Sequence, residues 1–73
     1  MSLPKVRPGM VVFDITQGTV GVVRSITPKG IARIERPAGW SWDTSVWRLR
    51  PGTPREHRQL VALARLYRQM QRT

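Results

Sequence analysis

Apolar positions along the chain repeat with two different periods. From Met10 to Arg50 they fall in short runs, Met10–Ile15, Thr19–Ile26, Ile31–Arg36, Trp40–Asp43 and Val46–Arg50, most of them rich in β-branched or aromatic residues. Turn-forming residues separate the runs: Pro8-Gly9, Thr16-Gln17-Gly18, Thr27-Pro28-Lys29-Gly30, Pro37-Ala38-Gly39 and Pro51-Gly52. Five short strands with tight turns predict a small antiparallel five-stranded barrel over residues 10–50. Within the first run, Val11, Phe13 and Ile15 share one face and Val12 and Asp14 the other. Within the last, Trp47 and Leu49 are expected to face the core while Arg48 and Arg50 leave it together. Gly21 interrupts the second run, where glycine marks a bulge or a sharp bend.

After Pro51-Gly52 the period changes to that of a helix. Thr53-Pro54-Arg55-Glu56 is a capping box: a hydroxyl for the free N–H groups, proline at the first helical position, and glutamate three residues after the cap. The helix is predicted over residues 53–72. Leu60, Leu63, Ala64, Tyr67 and Met70 form an apolar stripe, and Arg58, Arg65, Arg68 and Arg72 gather opposite it at 100° per residue. Neither element can bury its apolar face alone, so the stripe should cover a flank or an open end of the barrel, with Leu63 and Tyr67 in the contact.

Length and composition narrow the picture. The chain of 73 residues is one domain, 1–73, mainly β with one C-terminal helix. It has no cysteine and a single histidine, His57, so no disulfide, no metal site and no cofactor is expected. No apolar run approaches the roughly 20 residues that cross a bilayer. Met1-Ser2-Leu3-Pro4-Lys5 is not followed by the apolar core of a signal peptide, so a cytoplasmic protein without membrane contact is expected.

Charge changes the functional picture most. Thirteen Lys and Arg face four Asp and Glu, for a formal net charge of +9. Such an excess favours polyanionic partners, nucleic acid first. Lysine stands only at Lys5 and Lys29, so the excess is mostly arginine, a bias that a GC-rich coding sequence also produces in a merely solvated surface. Enzyme chemistry is not expected. Asp14, Glu35, Asp43 and Glu56 are not paired on any element, the serines lack a His and Asp setting, and no phosphate-cradling glycine loop is present.

Trp40 and Trp42 share a face of the fourth run. On the inside they are core; on the outside they form an aromatic platform that can stack bases or dock a peptide.

Pro8-Gly9-Met10-Val11-Val12-Phe13-Asp14, followed by Gly18-Thr19-Val20-Gly21-Val22-Val23, resembles the start of a KOW or Tudor-like domain, a small SH3-like barrel. That resemblance implies binding of RNA, DNA or a partner protein. The same stretch resembles the polymerase-binding barrel of CarD-type transcription regulators. The wider pattern, adding Trp42-Asp43 and Leu49 to Glu56, resembles a group of small streptomycete proteins and bears on the fold alone.

Two readings of function follow. In the first, the domain binds DNA or RNA with little sequence preference, Arg24, Lys29, Arg33, Arg36, Arg48 and Arg50 contacting phosphates and Arg58, Arg65 and Arg68 extending the track. In the second, it is a Tudor-like adaptor that binds protein, for example transcription machinery or an acidic partner, through an exposed aromatic or a strand edge. Self-association through the helix is compatible with either.

Overall fold

A computed structural model describes residues 5–37 and 39–71. The chain runs β1 (Val11–Asp14), β2 (Thr19–Ile26), β3 (Ile31–Glu35), β4 (Ser41–Ser45), a 3-10 turn (Val46–Arg48), β5 (Leu49–Pro51) and α1 (Pro54–Gln71). The five strands form one antiparallel sheet in the order β4-β3-β2-β1-β5. Chain neighbours pair as a meander, and β5 returns to the free side of β1. Five strands and a C-terminal helix are present as predicted, the last strand confined to Leu49–Pro51 behind the 3-10 turn. The Pro37-Ala38-Gly39 turn includes Ala38, which lies outside the described residues, as does Arg72 of the expected helix end.

The ladder is not closed: β4 and β5 are its edges. The five strands thus form an open antiparallel sheet, and a strongly curled one. Trp42 of β4 donates its indole N–H to Asp14 Oδ2 of β1 at 2.8 Å. Strands three places apart in a flat sheet lie about 14 Å from each other, so the sheet must roll to bring these side chains together. The 3-10 turn spans the gap between the edges. Val46 N donates to Gly30 O and Ile15 N donates to Arg48 O, each at 2.9 Å, which ties the turn to the ends of β1 and β3.

The inner face holds the main core: Val6, Val12, Val23, Ala32, Ile34, Val46 and Leu49, with Met10, Ile26 and Trp42 packed against them. Asp14 is fully buried there too. Leu60 of α1 and Val20 are buried but stand outside this cluster. The register sets Val20 beside Phe13 and Val22 beside Val11, on the face opposite Val12 and Asp14, and α1 meets the sheet at β1 and β2. The helix thus covers the outer face. The alternation of β1 is as expected, but both faces are used: Val12 and Asp14 face inward, Val11 and Phe13 lie half-buried on the helix side, and Ile15 is 63% exposed beyond the strand end.

Two expectations are corrected by local geometry. Trp47 is not a core anchor. Ser45 caps the 3-10 turn, its Oγ accepting from Trp47 N at 3.3 Å. The period there is three rather than two, so Val46 and Leu49 point inward and Trp47 is 54% exposed. Gly21 does not mark a bulge either. It pairs regularly with Val12, and the register shift in β2 lies between Val23 and Ser25. Glycine is needed at position 21 because a Cβ would overlap Ile34 Cγ2 and press on Trp42 Cη2, 3.2 Å away. The strand is bare there so that the Trp42 indole can lie across it.

Candidate nucleic-acid interface

The buried Asp14 organises the end of the sheet from which several basic side chains project. Its Oδ1 accepts from Thr16 N at 2.8 Å and Gln17 N at 3.1 Å, shaping the β1–β2 turn, and its Oδ2 accepts from Trp42. Gly18 closes the turn at φ 67°, a conformation that suits glycine, with its N–H on Asp14 O at 2.8 Å. Burial pushes the Asp14 carboxyl up. The hydrogen bonds from Trp42, Gln17, Thr16 and Thr44 outweigh it and hold the group below the usual carboxylate range. Asp14 is a structural carboxylate, its two oxygens accepting from Thr16, Gln17 and Trp42.

The sheet arginines are largely spoken for. Arg24 pairs with Glu35 at 3.5 Å and Arg33 with Asp43 at 3.2 Å. Arg33 also reaches Ser41 Oγ at 3.5 Å. Arg50 meets Glu56 at 2.8 and 2.9 Å through both terminal nitrogens and lies 4.3 Å over the Phe13 ring. Arg36 and Arg48 donate to the neutral hydroxyls of Thr19 and Thr16, each at 2.8 Å, and keep their charge uncompensated. Lys29 is exposed in the β2–β3 turn. Arg48 and Arg50, expected to project together, do not: Arg48 belongs to the 3-10 turn and reaches the β1–β2 turn, whereas Arg50 is drawn to the helix start.

The helix arginines are arranged differently. Thr53 Oγ1 accepts from Glu56 N at 3.2 Å and Glu56 Oε1 accepts from Thr53 N at 2.8 Å, the reciprocal capping box read in the sequence. With Arg50 held by the same carboxylate, Glu56 fixes the start of α1 to β5. Its pKa is lowered to about 2, first by the Arg50 hydrogen bonds and then by the Thr53 N–H. From that anchor, 18 residues of α1 extend about 27 Å, and the molecule is elongated, 48 × 22 × 19 Å. Arg58 and Arg65 are exposed on the side of α1 away from Leu60, with Arg55 and Arg68 exposed beside them, and none has a carboxylate partner among the described residues. Arg55 was not singled out from the sequence; its position between proline and the capping glutamate hid it in the cap. His57, Arg58, Val61, Ala62 and Arg65 line a shallow depression of about 390 Å³ on this face.

A second feature lies on the other side of the helix. The stripe seats Leu60 fully but leaves the sheet behind it, so Leu63 and Tyr67 are only half-buried and Met70 is 67% exposed. Leu63, Leu66, Tyr67 and Met70 face Arg36, Pro37 and Trp40 across a groove of about 430 Å³. Leu66, 56% exposed, was missed in the sequence although its spacing of three from Leu63 and four from Met70 places it on that edge. The two tryptophans of the expected platform separate in role. Trp42 is half-buried and bound to Asp14; Trp40 is 53% exposed, its ring 4.9 Å from that of Trp42 and tilted by 36°.

Among the described residues no cluster of three or more potential metal ligands exists, and no helix is long and apolar enough to cross a membrane. Comparison with known proteins finds no matching family model, no similar curated protein and no similar solved structure.

Proposed function

We propose that the domain binds nucleic acid with little sequence preference and that the contact surface is the outer face of α1, Arg55, Arg58, Arg65 and Arg68, rather than the sheet. The observation that carries this reading is the distribution of ion pairs. Asp14 is buried, and the other three carboxylates each hold a sheet arginine, Arg24, Arg33 or Arg50. The net charge of +9 therefore rests on the remaining cations, among which the helix arginines form a row on one rigid element. Arginines in a row contact phosphates by charge and release counterions, which gives affinity without base reading. Arg36 and Arg48, whose charges are also uncompensated, are secondary contacts.

The fold supports the reading in a general way. A four-stranded meander whose fifth strand returns to β1 through a 3-10 turn, curled until β4 reaches β1, is compatible with an SH3-like barrel of the KOW or Tudor kind. Such domains bind nucleic acid or protein.

The test is a titration of labelled single- and double-stranded DNA and RNA in low salt. Binding tighter than about 100 μM is the outcome expected of a basic non-specific binder. Absence of binding to all four would leave the basic face as a solvated surface and give the adaptor reading first place.

A further inference from the structure

From the groove between α1 and the β3–β4 turn we infer a second, separate site, one that takes an acidic amphipathic segment of a partner protein. Leu63, Leu66, Tyr67 and Met70 on one wall and Pro37 and Trp40 on the other make a largely apolar surface, its polar groups being the Tyr67 hydroxyl, the Trp40 indole N–H and Arg36 at the edge. Of the exposed large apolar side chains, Ile15, Ile31, Trp47 and Val61 stand outside the groove, whereas Trp40, Leu66 and Met70, each more than half exposed, line it together. Adjacent large apolar side chains left open on one surface mark a contact site.

Charge decides what fits. A second copy of this chain would bring apolar side chains but, among the described residues, no free Asp or Glu side chain. Asp14 is buried, and Glu35, Asp43 and Glu56 are tied to Arg24, Arg33 and Arg50. Two chains of +9 would meet with only cations around the contact. A nucleic-acid base could stack on Trp40, but its polar edges would find mostly aliphatic walls and would lose hydrogen bonds to water. A helical or extended segment with Leu or Phe anchors between Asp and Glu satisfies both requirements: its anchors fill the apolar walls and a carboxylate at its edge faces Arg36. The groove and the arginine row lie on different sides of α1, so one helix would hold a polyanion on one side and a protein on the other.

The experiment uses the full chain and a synthetic four-turn peptide, about 15 residues, with Leu and Phe at helical spacing and Asp or Glu elsewhere. A control peptide keeps the acids and replaces the apolar residues with Ser. The amphipathic peptide should bind and shift tryptophan emission to the blue, and the control should not. Replacing Leu66 and Met70 by Gln, a good helix former at exposed positions, should weaken peptide binding about tenfold or more while leaving DNA and RNA affinity within about twofold. Equal binding of the two peptides, or no binding of either, would overturn the inference. So would a dimer in sedimentation that L66Q/M70Q dissociates, since a second copy would then own the groove. Loss of nucleic-acid binding in L66Q/M70Q would assign the groove to nucleic acid instead.

Discussion

The Arg50 guanidinium grips the Glu56 carboxylate with two hydrogen bonds, at 2.8 and 2.9 Å, and the same carboxylate accepts the Thr53 N–H that begins the helix. One acidic side chain thus joins β5 to α1 and neutralises an arginine that charge alone would assign to phosphate binding. Arg50→Gln should accordingly lower the melting temperature and leave nucleic-acid affinity nearly unchanged, measured by thermal unfolding and by titration of the same preparation. Thr53→Ala removes the other half of the cap and should cost about 1 kcal/mol, a drop of about 4–8 °C for a domain of this size.

Acid should weaken the fold through the same carboxylates. Glu56 titrates near 2 in the folded protein against an ordinary value of 4.5, and Asp14 is also held low. Both groups bind protons more readily in the unfolded chain, so their stabilisation is complete above about pH 4.5 and fades as pH falls toward 2. Melting curves from pH 7 to pH 2.5 should show a loss beginning below about pH 4.5. Glu56→Gln should be less stable than the wild type at pH 7 and should lose less on acidification. A melting temperature independent of pH over this range would contradict the placement of both groups.

The curl of the sheet depends on Gly21 being bare. Gly21→Ala forces Ile34 and Trp42 aside and should destabilise by about 1–3 kcal/mol. Because Trp42 is displaced, its emission should move to the red. An alanine variant as stable as the wild type would mean that the sheet can flatten at no cost.

The seating of α1 can be read from two leucines. Leu60 is 6% exposed and Leu66 56%. Leu60→Ala should cost about 2–4 kcal/mol, whereas Leu66→Ala should change unfolding by less than about 0.5 kcal/mol. Equal effects would mean that the whole helix is docked and that the groove is closed.

How far the sequence disclosed this architecture depends on which physical rule governs each segment. The turns and the Thr53–Glu56 cap are local chemistry, and both are where the spacing places them. The phase of the last strand was misjudged because the alternation rule assumes extended backbone, and Ser45 starts a 3-10 turn that replaces period two by period three. Glycine at position 21 signals a bulge or a sharp bend in the sequence; its steric reason, the Trp42 ring lying across it, comes from a strand two places away in the sheet. The arginines could be counted but not sorted. Whether Arg24 or Arg65 is neutralised depends on the register that brings Glu35 near one and no acid near the other, and cross-strand neighbours are not visible in a linear pattern. Leu66 and its groove stayed hidden for a similar reason: a helical stripe does not disclose where the sheet beneath it ends.

The row of arginines on α1 is the central claim, and the salt dependence of binding tests it most directly. Affinity for a short single-stranded DNA is measured against salt concentration for the wild type, for R58Q/R65Q/R68Q and for R24Q/E35Q, which removes an ion pair from the sheet without changing net charge. Each phosphate contact contributes about 0.7 to the slope of log affinity against log salt on a single strand. The helix variant should bind more weakly, with a slope flatter by about 2, and R24Q/E35Q should match the wild type in both. An unchanged slope in the helix variant, or a flattening as large in R24Q/E35Q, would contradict the account.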